Sequence, residues 1–166
     1  MGHYKSNLRD IEFTLFELLR VQDRLGSAPF DEVDEQTARG ILAEVERLAS
    51  GPVAESLLDS DRNPPVFDPQ THSARLPESF KKSFQAYMDA EWWRMQIPAE
   101  LGGSVVPASL RWAAEEMILG ANPAAFLYMG GAGFVMELAQ RVLTRLVGHD
   151  HGFDTADVRS QPRAKQ

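Results

Sequence analysis

Apolar residues recur at three- and four-residue steps along most of the chain, which is the spacing that places them on one face of an α-helix. The first such stretch, residues 8–22, is predicted to bury Leu8, Ile11, Leu15, Leu18 and Leu19. Gly26 and Pro29 follow it and favour its end. A second helix is predicted after Asp31 or Asp34, either of which can cap it, with an inward stripe of Ala38, Ile41, Leu42, Val45 and Leu48.

The middle of the chain alternates breaks with further helical patterns. Gly51 and Pro52 end the second helix, and a short helix over residues 53–58 is expected next. Residues 61–75 are rich in proline and turn formers, so they favour extended backbone and can form a short hairpin. Pro77 suits the first turn of another helix, whose inward stripe is Phe80, Phe84, Tyr87, Met88 and Trp92.

Pro98 and the pair Gly102-Gly103 then force a loop, after which Pro107 opens a helix. Its inward positions are predicted to be Leu110, Ala113, Ala114, Met117 and Ile118. Arg111 and Glu115 lie one turn apart and can form an ion pair. Glu116 can face inward, where a charge needs a partner. The alternative is that one of the two adjacent glutamates is paired and the other is solvated.

Residues 120–123 form a corner, and residues 124–147 are predicted to form the longest helix. After residue 148 the apolar pattern stops. The pattern thus predicts an all-α fold of about six helices with almost no strand. It divides into a leader helix (1–30), a helical domain (31–148) and a disordered tail (149–166).

Composition narrows the function classes without choosing one. The chain has 166 residues, 43% of them hydrophobic and 25% charged, which suits one globular domain. A net charge of −7 argues against a nucleic-acid partner. The absence of cysteine excludes disulfides, thiolate nucleophiles and cysteine metal sites. The polar N-terminus lacks the apolar run of a signal peptide, so a cytoplasmic protein is expected.

The segment from Met117 to Met136 carries no charge and is long enough to span a bilayer. Asn122-Pro123 interrupts it, and Gly130, Gly131 and Gly133 lower its hydrophobicity and helix propensity, which favours a buried helix over a membrane span. Glycines on such a helix either let another helix approach or leave room for a ligand, and we favour the first interpretation. His149 and His151 make a poor metal site, and His72 has no nearby partner. No catalytic residue and no metal site are predicted.

Three stretches carry a resemblance to a known family. WWRMQIPAELGGSVVP (92–107) resembles the segment that joins two helices in the amino-terminal helical domain of acyl-CoA dehydrogenases. LRWAAEEMILGANPAAFLYMGGAGF (110–134) is similar to the helices that follow it in that family. HYKSNLRDIEFTLFELL (3–19) resembles the leader of one branch, which includes mycobacterial-type broad-specificity enzymes and methylthiopropanoyl-CoA dehydrogenases. The resemblance covers about residues 3–138.

The resemblance implies a flavin enzyme of fatty-acid β-oxidation. In the family, a glutamate base removes the α-proton of an acyl-CoA thioester, the β-hydride passes to FAD, and an electron-transfer flavoprotein accepts the electrons. The family's β-domain flavin motif and its C-terminal base are absent from this sequence. We therefore expect a truncated, non-catalytic chain that does not bind FAD alone.

The same resemblance assigns the acyl pocket. In the family, the helix after the corner lines that pocket, which by position implies Phe126, Met129, Gly130 and Gly133 here. An apolar slot of this kind suits an acyl tail. The alternative function is a helical interaction module, whose unpartnered apolar face docks onto a full-length dehydrogenase or forms a homo-oligomer.

Overall fold

The computed structural model describes residues 3–97, 99–130 and 142. Every element below lies in the compact unit Met1–Gly133. The helices are α1 (Leu8–Glu12), α2 (Glu35–Leu48), α3 (Ala54–Arg62), α4 (Glu78–Asp89) and α5 (Ala108–Ala121), followed by α6 over residues 123–130. Within the described ranges the only strands are β1 (Val66–Asp68) and β2 (Ser73–Arg75), which confirms the predicted all-α class.

The predicted three-part division stays a prediction. The structure describes the predicted long helix over 124–147 continuously only as far as residue 130, and the predicted tail, with His149 and His151, lies outside the described residues. Among the residues that are described, no helix combines the length and the apolar character that a bilayer crossing needs.

Helices α2 and α5 pack against each other at the centre of the core. The side chains that are fully buried at this centre are Leu42, Val45, Leu110 and Met117. Each of them belongs to an inward stripe that the three- and four-residue spacing predicted. The start of α2 is also as predicted, because Oδ1 of Asp34 accepts a hydrogen bond from the backbone N–H of Thr37 at 2.7 Å.

The first helix departs from the prediction. After α1, residues Phe13–Leu18 form a π-helical turn, and the backbone N–H of Leu19 bonds the carbonyl of Thr14, five residues earlier, at 2.9 Å. The wider turn shifts the phase of the side chains that follow it. Leu18 and Leu19 were predicted to face inward but are 68% and 57% exposed, whereas Leu15 is buried as predicted. Phe13 and Phe16 also widen the predicted apolar stripe, and only Phe16 is buried.

The end of this helix is also earlier than predicted. Arg20, not Gly26, interrupts it, with a φ of 50° in the left-handed region. The Arg20 guanidinium donates to the Asp23 carboxylate, with Nε and Oδ2 2.8 Å apart, across the turn that follows. The local ion pair thus supports a backbone conformation that non-glycine residues seldom adopt.

The break at Gly51-Pro52 is a kink within a nearly continuous helical path. Residues Ala49–Val53 form a second π-helical turn in which Gly51 leaves helical geometry, at φ −96° and ψ −112°. The helix α3 then runs to Arg62, beyond the predicted end at residue 58. The exposed hairpin follows, with Val66 opposite Arg75 in antiparallel register, as the sequence allowed.

The loop 92–107 is built from two 3₁₀ turns, Trp92–Gln96 and Ala99–Leu101. Gly102 has a φ of 81°, in the left-handed region that favours glycine. The backbone N–H of Ser104 donates to the carbonyl of Arg94 at 2.9 Å, so the end of the loop lies beside its first turn. The predicted loop is therefore an ordered corner whose glycine requirement is at Gly102.

Gly102→Val is expected to lower the free energy of unfolding by about 1–3 kcal/mol, because a β-branched residue is strained at positive φ. Urea denaturation followed by circular dichroism measures the change. Gly40→Val is the control, since Gly40 lies in α2 with nothing within 4 Å of an added Cβ atom. It should be neutral or slightly stabilising. Equal losses for the two variants would contradict the strain at Gly102.

The N-terminal segment packs against the end of α5. The Nε2 of His3 lies 2.9 Å from the carbonyl oxygen of Ala121, and because a carbonyl only accepts, Nε2 is the donor. The ring of Tyr4 lies so close to Gly120 that a Cβ atom there would be 2.7 Å from Cε2 of Tyr4. The predicted leader thus packs against the 120–123 corner at the end of α5.

Candidate functional site

A partly enclosed cavity lies where α2, α4, α5, α6 and the turn Trp92–Gln96 meet. Its apolar lining is Val45, Trp92, Met95, Ala114, Ile118, Phe126, Met129 and Gly130, and its polar lining is Tyr87, Gln96 and Glu115. The cavity volume is about 10 Å³, which is the room that one water molecule needs. In this conformation the cavity is a small apolar site with a polar side.

Three of the four residues predicted for an acyl pocket line this cavity: Phe126, Met129 and Gly130. Gly133 lies outside the described residues. Met129 is 4% exposed and Phe126 is half-buried. Within the described part of the chain, an added Cβ on Gly130 would meet nothing within 4 Å. The close helix approach that we favoured for this glycine is therefore not seen there, and the position has open space instead.

Asn122 fixes where α6 begins. Its Oδ1 accepts hydrogen bonds from the backbone N–H groups of Ala124 at 3.1 Å and Ala125 at 3.2 Å, which caps the helix. Its Nδ2 donates to Oγ of Ser56 at 2.9 Å, and that hydroxyl donates to the carbonyl of Val53 at 2.7 Å. Asn122 is completely buried. One side chain thus ties α6, and the cavity wall that it carries, to α3.

Aromatic packing holds the other side of α6. The ring of Tyr128 meets the rings of Phe80 and Phe84 edge to face, with centroids 5.4 Å and 5.3 Å apart. Both phenylalanines belong to the predicted inward stripe of α4. Edge-to-face pairs add directional attraction to the burial of apolar area. The stripe therefore orients α6 so that Phe126 and Met129 face the cavity.

The polar side of the cavity is formed by Tyr87, Gln96 and Glu115. Nε2 of Gln96 donates to the Tyr87 hydroxyl at 3.4 Å. Burial, reinforced by the nearby Glu115 charge, raises the pKa of Tyr87, so its hydroxyl is protonated at neutral pH. Burial also raises the pKa of Glu115, while Arg111 and Gln96 oppose that rise. The cavity therefore offers hydrogen-bond donors and an acceptor beside apolar walls.

The inward glutamate is Glu115, so the suggestion that Glu116 faces inward is wrong. The side chain of Glu115 is 13% exposed, and its Oε1 lies 3.8 Å from Nε of Arg111, the ion pair that the spacing predicted. Glu116 is exposed. The two residues flank the inward stripe of α5 on opposite edges, and only the edge that carries Glu115 borders the cavity. The alternative of one paired and one solvated glutamate is correct.

Glu115→Gln tests the burial of this carboxylate. Because its pKa is raised, the folded chain holds the proton more tightly than the unfolded chain, and stability falls as pH rises through the folded pKa. Glutamine has no such proton. The Tm of Glu115→Gln, relative to the unmodified chain, should therefore increase as the pH rises above about 4, the ordinary pKa of a glutamate.

Thermal melts at several pH values measure this difference. Glu116→Gln is the matched control, because the neighbouring carboxylate is exposed, and its Tm difference should stay constant with pH. A constant difference for Glu115→Gln as well would show that Glu115 is solvated.

Sequence reasoning missed most of the cavity lining. The spacing placed Tyr87 and Trp92 on a core stripe, but it gave no sign that this stripe borders a cavity. Met95 and Gln96 lie in the segment 92–107, where the sequence predicts a loop and carries the family resemblance but indicates no cavity. The polar side of the cavity combines Tyr87, Gln96 and Glu115, which belong to three different elements. A local sequence pattern cannot show that these three side chains meet.

Metal binding has no support in the described residues, where no group of three histidine, cysteine or acidic side chains converges. His72 lies in the exposed turn of the hairpin, at φ 51°. The cavity itself holds one carboxylate, which is too few ligands for a stable metal site.

An all-α unit of five or more helices is the architecture that the resemblance implied. The chain belongs to the acyl-CoA dehydrogenase family and corresponds to its amino-terminal helical domain. Over 138 residues it is 57% identical to the broad-specificity linear acyl-CoA dehydrogenase FadE5 of Mycobacterium tuberculosis. The match covers 83% of this chain and 23% of the length of that protein. No family model matches the chain.

Proposed function

We propose that this helical unit serves an FAD-dependent enzyme that desaturates acyl-CoA thioesters at the α,β position, and that the apolar side chains around its cavity contact part of the acyl tail. The observation that carries the proposal is the convergence of Phe126, Met129 and Gly130 on one cavity. Acyl-CoA and an electron-transfer flavoprotein are the partners that this reaction requires, and the cytoplasm is the proposed location.

The residues described here would bind and orient the tail. Apolar walls from α5 and α6 exclude water from an aliphatic chain, and the bound flavin of the complete enzyme would supply the hydride acceptor. Tyr87 stays protonated, and Glu115 is engaged with Arg111. Neither side chain is therefore arranged as a base for the α-proton.

Flavin does not fit the described residues. A cavity of about 10 Å³ cannot admit an isoalloxazine ring. We therefore propose that the chain alone neither holds FAD nor turns over substrate. Purified chain should show no flavin absorption in the visible region and no acyl-CoA-dependent reduction of a dye. Turnover by the chain alone would overturn the non-catalytic part of the proposal and leave the family assignment intact.

A filling substitution tests the acyl slot. Gly130→Leu adds a side chain to the cavity wall at a position where an added Cβ meets nothing within 4 Å, and it should weaken binding of a hexanoyl N-acetylcysteamine thioester, measured by NMR titration, by about 10-fold or more. Leu127→Trp is the matched control on the same helix, because Leu127 is 75% exposed, and it should bind like the unmodified chain. Equal binding by both variants, or none by the unmodified chain, would exclude the slot.

The second candidate function is an interaction module. Four large apolar side chains of α5 and α6 are exposed by 42% to 75%: Trp112, Leu119, Leu127 and Tyr128. Such a surface suits a second copy of the chain or a full-length dehydrogenase. A size-exclusion experiment with and without a full-length relative separates the possibilities. A chain that stays monomeric at high concentration, alone and in the mixture, argues against this function.

A further inference from the structure

The end of α5 is held by a side chain from the opposite end of the sequence. In a continuous helix, the carbonyl of Ala121 would accept from the backbone N–H of Ala125, four residues later. The corner prevents this, because that N–H bonds Oδ1 of Asn122 instead. The carbonyl of Ala121 accepts from Nε2 of His3 at 2.9 Å, across 118 residues of sequence. His3 thus caps α5 at a residue that is completely buried.

The next leader residue packs against the neighbouring position of α5. A Cβ atom at position 120 would lie 2.7 Å from Cε2 of Tyr4, closer than carbon atoms approach each other in proteins, so the ring needs glycine there. Tyr4 is half-buried and packs against the hydrophobic core. Glycine weakens a helix relative to alanine, and in return Gly120 admits the Tyr4 ring.

These two contacts hold the residues from which α6 departs. Ala121 directly precedes Asn122, whose side chain caps α6. Because α6 carries Phe126 and Met129 to the cavity, a shift of the corner would move both of these side chains together. Asn122 holds the corner to α3, and the leader holds it at the end of α5.

We propose that His3 and Tyr4 are positioning residues for α6: by holding residues 120 and 121, the leader sets the orientation of this helix and the affinity of its side chains for an acyl tail. The part that concerns affinity rests on the acyl contact proposed above, whereas the positioning of α6 does not depend on a ligand. A leader that only buried apolar area would change the stability of the whole unit and not that of α6 in particular.

Hydrogen exchange followed by NMR on the full chain measures the positioning directly. Tyr4→Ala and His3→Ala should each raise the exchange rates of the amides of residues 126–130 by about 10-fold, the effect of roughly one hydrogen bond on local opening. The central amides of α2, which exchange by unfolding of the whole unit, should keep their rates. Equal increases in α2 and α6, or unchanged rates in α6, would overturn the positioning role.

Conservative variants and a neighbouring residue supply the controls. Tyr4→Phe keeps the ring, and His3→Gln keeps an N–H donor at the place of Nε2, so both should retain the slow exchange of α6. Lys5→Ala changes an exposed side chain in the same segment and should leave the exchange rates unaltered. Fast exchange of α6 in Tyr4→Phe or in Lys5→Ala would contradict the role of the ring contact.

Gly120→Ala separates the docking of the leader from the strength of α5. Alanine favours a helix more than glycine does, but its Cβ atom would displace the Tyr4 ring. The variant should therefore raise the exchange rates of α6 in the unmodified chain and leave them unaltered when Tyr4→Ala is already present. An equal effect of Gly120→Ala in both backgrounds would show that the Tyr4 contact does not position α6.

Binding of the hexanoyl N-acetylcysteamine thioester, measured by NMR titration, connects the positioning with the acyl tail. Tyr4→Ala should raise the Kd by about 3- to 10-fold, and Tyr4→Phe should bind like the unmodified chain. An unchanged Kd beside faster exchange in α6 would overturn the effect on affinity. If the unmodified chain binds no thioester, the acyl contact itself fails, and the exchange rates alone decide the positioning of α6.

Discussion

Asn122→Ala is expected to lower the free energy of unfolding by about 2–4 kcal/mol, because α6 loses its cap and buried polar groups lose their hydrogen-bond partners. The backbone N–H groups of Ala124 and Ala125 lose their acceptor, and Oγ of Ser56 loses a donor. Because Asn122, Ser56 and Ala125 are completely buried, water cannot replace the bonds to Ser56 and Ala125 without opening the 120–123 corner. Urea denaturation followed by circular dichroism measures the loss.

Two further variants identify the cause of that loss. Asn63→Ala removes an exposed asparagine that donates to Asp59 at 2.8 Å at the end of α3, and it should change stability by no more than about 0.5 kcal/mol. Ser56→Ala removes one partner of Asn122 but leaves the cap. In a double-mutant cycle, the Asn122 and Ser56 substitutions should be non-additive. Additive effects would show that the bond between α3 and the corner contributes nothing.

Leu15→Ala is expected to cost about 2–4 kcal/mol, because Leu15 is 3% exposed and its removal leaves a cavity in the core. Leu18→Ala, at 68% exposure in the same segment, should stay within about 0.5 kcal/mol of the unmodified chain. The same denaturation measurement compares the two variants. The difference depends on the π-helical turn Phe13–Leu18, which rotates Leu18 away from the core.

A regular α-helix through residue 22 predicts the opposite result, in which both leucines contribute to the core. Comparable losses for Leu15→Ala and Leu18→Ala would therefore show that the wide turn is absent in solution. Phe16 offers an independent check, because the π-helical turn buries it and exposes Phe13 by 47%. Phe16→Ala should be far more destabilising than Phe13→Ala.

Local sequence signals sufficed wherever a short-range rule decides the structure. The carboxylate of Asp34 caps α2 because it is three residues from the N–H that it accepts. The stripes of α2 and α5 are buried as spaced, since nothing interrupts the regular 3.6-residue period there. Gly51-Pro52 and Asn122-Pro123 interrupt the helical path where proline removes a backbone donor.

The errors occurred where a longer-range contact decides between local alternatives. The sequence does not distinguish a π-helical turn from a regular one. The π-helical turn Phe13–Leu18 rotates the side chains that follow it, which exposes Leu18 and Leu19. Glu115 and Glu116 stand at equal distances from the stripe of α5, so their spacing could not show which of the two is buried. The neighbouring elements decide it, because α4 and the turn Trp92–Gln96 bring Tyr87 and Gln96 to the side of α5 that carries Glu115.

The family assignment came from the sequence alone, because a corner such as PAELGG and the helix patterns around it are local features. The same resemblance placed Phe126, Met129 and Gly130 together before their surroundings were known. Only the tertiary structure brought Tyr87, Gln96 and Glu115 to the same cavity. Their convergence depends on how α4, α5 and the 92–96 turn pack, which is a property of side-chain volumes across the core and not of any one segment.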